Sequence, residues 1–107
     1  MENEELPILV KWLRFVEWLF PVTAKFPRSV RHSFATRLEN LALDAAEDII
    51  EARYSRDKKV ILRRLNVRLE KLRILLRLSF NLHYLAQRSY EHAARQIDEA
   101  GQMLSGW

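Results

Sequence analysis

Between Arg53 and Arg77 the chain carries Arg53, Arg56, Lys58, Lys59, Arg63, Arg64, Arg68, Lys71, Arg73 and Arg77, opposed in that stretch only by Asp57 and Glu70. Cations at this density suit one chemistry above all: neutralising a polyanion such as a phosphate backbone, without reading its sequence. The segment before them is acidic, with Glu39, Asp44, Glu47, Asp48 and Glu51. Some of the basic side chains therefore have a second use, pairing with carboxylates on a neighbouring helix. A solvated helix face is the ordinary fate of a charge run, and only a further signal raises this one above it.

Bond-making chemistry finds no constellation. His32, His83 and His92 form no pair at metal-ligand spacing. His83 falls on an apolar row and is expected as a hydrogen-bonded core or interface residue. Glu47, Asp48 and Glu51 crowd one helix, where solvated charges or intersubunit pairs are expected rather than acid–base or metal work. The two glycines, Gly101 and Gly106, make no phosphate loop, and the serines lack a nucleophile setting. With no cysteine, disulfides and thiolate metal sites are excluded, and a reducing interior is compatible. No catalytic residue, metal or cofactor is expected. Trp12, Trp18 and Trp107 could stack on bases, although Trp12 is expected in the core.

The elements that must position the cations follow from composition. A chain of 107 residues with 2 glycines, 3 prolines and 49% hydrophobic residues suits one all-α domain spanning 1–107. The first helix is predicted from Glu5 to Ala24, with Pro7 in its first turn, Pro21 loosening its last, and Leu9, Trp12, Leu13, Val16, Leu19 and Phe20 inward. The second runs from just after Pro27 to Tyr54 on Phe34, Leu38, Leu41, Ala45, Ile49 and Ala52, its carboxylates mostly outward. Asp57 caps the third, which continues to Tyr84. Ser89 caps the fourth, which reaches Leu104 on Ala93, Ala94, Ile97, Ala100 and Leu104, with Gly101 allowing a close helix approach. Short loops between four helices imply an antiparallel up-down four-helix bundle, with central helices spanning roughly 40 Å.

The third helix has two apolar faces. Leu62, Leu65, Leu69, Leu72, Leu76 and Ser79 make an intramolecular seam. Val60, Val67 and Ile74 recur at steps of seven with Leu78 beside them, nearly opposite the seam at about 100° per residue. Ile8, Phe15 and Val22 on the first helix, and Leu43 and Ile50 on the second, repeat the pattern. Regularly spaced exposed apolar residues mark an interface, so these residues are expected to bring copies of the chain together as a homo-oligomer. The flanking cations would then be multiplied by symmetry.

The opening MENEELPIL is acidic where a signal peptide begins basic, and no stretch approaches the roughly 18 uncharged residues of a membrane span. A cytoplasmic location without membrane contact is expected. Ending at Gly106-Trp107, the chain is expected to add no longer basic tail. The stretches LPILVKWLRFVEWLF, TAKFPRSVR, RLENLALDAAEDIIEARYSRDK, LEKLRILLRLSFNL and GQMLSGW, in that order, resemble the Avd family, the accessory variability determinants of diversity-generating retroelements. The most specific parts are KFP at 25–27, ENLALD at 39–44, EARYSRDK at 51–58 and LEKLR at 69–73. The resemblance implies a four-helix bundle that closes into a pentameric barrel. It also implies a basic protein that binds RNA or DNA and the element's reverse transcriptase without being a polymerase. Small proteins encoded by intervening sequences in 23S ribosomal RNA genes share this resemblance and are the alternative, as is a purely structural oligomer.

Overall fold

The computed structural model describes residues 6–107. The expected first residue of the first helix, Glu5, lies outside the described residues. Helices α1 (Pro7–Thr23), α2 (Thr36–Tyr54), α3 (Lys59–Asn81) and α4 (Gln87–Ser105) pack as an antiparallel up-down bundle in which α1 also meets α4, and no strand occurs among the described residues. The bundle measures 44 × 25 × 22 Å, with a radius of gyration of 14.2 Å against about 13 Å for an average compact chain of this length. No helix among the described residues is long and apolar enough to cross a membrane.

Each helix buries a stripe. On α3 it is Ile61, Leu65, Leu69, Leu72, Leu76 and Ser79, so the seam starts at Ile61 where Leu62 was expected. On α4 it is Ala93, Ile97, Ala100 and Leu104. The larger departure is on α1, whose buried residues are Ile8, Trp12, Phe15, Leu19 and Thr23. This face is rotated about 60° from the predicted one, and Leu13 is left 40% exposed. The helix is apolar nearly all round, so periodicity alone did not choose its face. One specific contact across the bundle favours it: the Trp12 indole Nε1–H donates to the Ala42 carbonyl of α2 at 2.9 Å, with Phe15 packed beside Trp12 at 4.8 Å between ring centres. Ile8 and Phe15, expected on a subunit interface, are therefore core residues at 6% and 2% exposure, and Val22 is half-buried against the same core.

The turns differ in detail from expectation. After Pro27 the chain makes a 3₁₀ turn (Arg28–Val30) and a widened π turn (Arg31–Ala35) before α2 proper begins. Helix α1 runs through Pro21 to Thr23. Asp57 accepts the Lys59 backbone N–H at 3.1 Å, as a cap of α3 should. Helix α4 starts at Gln87 behind Ala86, so Ser89 is no cap. Helix α3 ends at Asn81, three residues early, because His83 adopts φ 68°, the left-handed position of a helix-ending turn. The His83 N–H donates to Phe80 O at 3.0 Å and the Tyr84 N–H to Ser79 O at 2.8 Å. His83 is thereby exposed, not on the apolar row, and Tyr84 swings between Phe26 and Phe34.

Gly101 does not permit a close helix approach: a Cβ there would stand 3.4 Å from Arg73 Nη2, the end of a flexible side chain. Glycine within a helix costs about 0.5–1 kcal/mol relative to alanine. Gly101→Ala is expected to stabilise the fold by that amount and raise Tm by a few degrees, roughly 4 °C, in a thermal melt. An unchanged or lower Tm would mean that Arg73 cannot yield.

Candidate nucleic-acid interface

The ten cations between Arg53 and Arg77 separate into two groups once the helices pack. The first is used internally. Asp48 on α2, predicted as an outward charge, is 3% exposed. Its Oδ1 accepts from Arg64 Nε at 3.0 Å and its Oδ2 from Arg68 Nε at 2.6 Å. Arg64 also donates from Nη2 to Glu51 at 2.9 Å, and Arg68 from Nη1 to Asp44 at 3.3 Å. A chain of three carboxylates and two guanidinium groups thus joins α2 to α3. The hydrogen bond that Arg64 donates to Asp48, and then the charge of Asp48, push the Arg64 pKa above its ordinary value. Arg73 is held by Asp98 at 3.1 Å and by Glu70 at 3.0 Å, tying α3 to α4.

Lys58 is also spent on structure. Its ammonium donates to the carbonyls of Ala52 and Ser55, both at 2.9 Å, and lies 5.7 Å from the centre of the Trp107 ring. It closes the C-terminal end of α2 and pins the last residue of the chain. Arg53 lies over the Tyr54 ring at 5.9 Å. Both acids of the stretch are engaged as well, Glu70 by Arg73 and Asp57 by the α3 backbone.

The second group is Arg56, Lys59, Arg63, Lys71 and Arg77. All are exposed, and no hydrogen bond or ion pair among the described residues engages their side chains. On α3 they border the second apolar row. Val60, Val67, Ile74 and Leu78 are 64%, 48%, 47% and 41% exposed. At about 100° per residue they form a strip about 40° wide, with Arg63 and Arg77 along one edge and Lys71 along the other. Val60, Arg63, Val67 and Lys71 line one shallow groove, and Lys71 and Ile74 share the next with Arg37 and Leu41 of α2. Leu43 and Ile50 are exposed at 42% and 45% but lie about 120° around α2 from the carboxylates that meet α3. They form a separate patch.

Trp18 packs on Phe15 and His92, with ring centres 5.8 and 4.5 Å away, so neither the indole nor that histidine is a free platform. Among the described residues no group of three histidines and carboxylates is placed to hold a metal. Density along the chain passes over other exposed cations, Lys25, Arg28, Arg31, Arg37 and Arg88. The signal available for them was an absence: residues 24–38 and 71–90 contain no Asp or Glu.

Asp48→Ala would strand two guanidinium groups between α2 and α3. A loss of about 2–3 kcal/mol is expected by urea unfolding, at the low end for a broken buried pair because both arginines reach solvent. A loss under about 1 kcal/mol would mean that Asp44 and Glu51 take over the pairing at little cost.

Comparison with curated proteins gives no match. The model of the bAvd-like family, in contrast, matches residues 7–107, from the first residue of α1 through the Lys58–Trp107 closure. Four helices with one internally neutralised and one free set of cations are thus arranged on a chain that belongs to the bAvd-like family.

Proposed function

We propose that this protein is a non-enzymatic accessory factor of a diversity-generating retroelement, a homo-oligomer that binds the element's reverse transcriptase and its template RNA. The observation that carries this beyond family membership is the outer face of α3, where unopposed cations border an exposed apolar strip. The cations supply sequence-independent attraction to phosphates. The strip supplies the apolar centre that a protein interface needs. RNA and reverse transcriptase meet in the cytoplasm, and that is where the complex would act.

Self-association uses the two apolar patches together. Their separation suits a heterologous contact, in which the Val60–Val67–Ile74 strip of one subunit meets the Leu43–Ile50 patch of the next. Contacts of this kind close into a ring when the rotation allows, and a pentamer is the ring the family resemblance implies. Ring closure would repeat Arg63, Lys71 and Arg77 around the assembly and deepen its positive field.

Light scattering on a sizing column should give a mass near five times the 12.8 kDa chain. Val67→Glu with Ile74→Glu should reduce this to one chain while the circular dichroism stays helical. An unchanged mass would remove the α3 strip from the interface. Changing Arg63, Lys71 and Arg77 together to Glu should weaken binding to a labelled RNA and reduce the slope of log Kd against log salt by about three. Unaltered binding would place the phosphate surface elsewhere.

A further inference from the structure

Antiparallel packing brings the α1–α2 and α3–α4 turns to one end of the bundle. Tyr84 of the second turn joins them there, 6.1 Å from Phe26 and 5.3 Å from Phe34 between ring centres, while Phe80 stacks on Tyr90 at 5.1 Å across the α3–α4 turn itself. On this end stand Lys25, Arg28, Arg31 and Arg88, all exposed, with no side-chain hydrogen bond or ion pair among the described residues. The acids nearest in sequence to the two turns are already in use, Glu39 accepting from the Thr23 hydroxyl and Glu91 from the Gln87 amide.

Helix stability does not account for Arg31 and Arg88, whereas Lys25 follows the C-terminal end of α1, where a cation is favoured. Arg28 and Arg31 precede α2 in its 3₁₀ and π turns, and Arg88 is the second residue of α4. A helix start favours Asp or Glu and disfavours Arg. Neither the 3₁₀ and π turns nor the start of α4 has an acidic residue in its first turn or a side-chain cap. Arg31 and Arg88 therefore sit where local electrostatics opposes them, on an end where Phe26, Phe34 and Tyr84 pack together. The end also connects to the α3 face, because Arg37 shares a groove with Lys71 and Ile74.

We propose that this end of the bundle is a second phosphate-contacting surface, on which Lys25, Arg28, Arg31 and Arg88 hold the backbone of the RNA that also follows α3. The inference rests on the RNA-binding reading of α3. A nucleic acid suits the end better than a protein does. Leu82, at 44% exposure, is the one large exposed apolar residue of the two turns, whereas protein interfaces need an apolar centre and deplete charge there. Phosphate contacts need cations, and gain from the exposed Ser29 hydroxyl beside them.

The test uses the full chain carrying Lys25→Gln, Arg28→Gln, Arg31→Gln and Arg88→Gln, compared with the parent and with the Arg63, Lys71 and Arg77 variant. Anisotropy of a labelled single-stranded RNA of about 30 nucleotides is followed across salt concentrations. The end variant should bind about tenfold or more weakly at roughly 100 mM salt, with a salt slope reduced by about three to four. Its Tm should be close to the parent's, since Arg31 and Arg88 leave helix starts while Lys25 leaves a helix end; a Tm lower by more than about 5 °C would mark a structural role and overturn the proposal. Parent-like affinity and slope in the end variant, with binding lost in the α3 variant, would overturn it and leave the α3 surface standing. Parent-like RNA binding with lost capture of the reverse transcriptase would also overturn it, making the end a protein-docking surface. A parent chain that binds no RNA would remove both readings together.

Discussion

Asp48 is a carboxylate inside a helical bundle, and the arrangement of α2 against α3 depends on satisfying it. An isolated buried carboxylate costs several kcal/mol, so both oxygens must find donors whose geometry matches. Arg64 and Arg68 supply them from successive turns of α3, each with a second nitrogen left for Glu51 or Asp44. The register of one helix along the other is thereby specified in a way that leucines alone would not impose. Hydrophobic seams tolerate sliding and repacking, while a buried charge with two fixed partners does not. No buried side-chain nitrogen or oxygen among the described residues lacks a partner.

The same network divides the labour of the basic residues. Those on the inner flank of α3 are neutralised by α2 or α4. Those on the outer flank stay exposed and, among the described residues, unpaired. Lys58 shows that position in a run does not decide the role, because its ammonium ends on backbone carbonyls and an indole while its neighbour Lys59 is free in solvent. A modest net charge of +4 thus becomes two uncovered positive surfaces on a small body, one along α3 and one at the end where the turns meet.

The exposed apolar strip on α3 and the patch on α2 bear on assembly in a parallel way. Each is too narrow to be a core and too regular to be scatter. They point in different directions from one chain. A bundle with two such faces has unused hydrophobic surface that a second molecule of complementary shape can cover. The free cations border that surface, so an apolar strip and a positive edge occupy adjacent ground.

What the sequence by itself determined is the helical class, the approximate helix limits, the α3 core face and its opposite apolar row. Helical spacing of leucines is a local property that tertiary contacts only confirm. The family resemblance was also legible, because whole segments carry it. The α1 face was not legible, since a helix apolar on most sides has no preferred direction until Trp12 finds the Ala42 carbonyl across the bundle. That contact moved Ile8 and Phe15 from an expected interface into the core. Nor was the fate of each arginine legible. Charge is countable along a chain, but neutralisation needs a partner at about 3 Å, and Asp48, Arg64 and Arg68 reach that distance only when α2 and α3 are side by side. The turn-end cations left a faint sequence signal in stretches without acids, but their grouping did not. Lys25 and Arg88 lie far apart in sequence and come to one end only when antiparallel packing brings the two turns together.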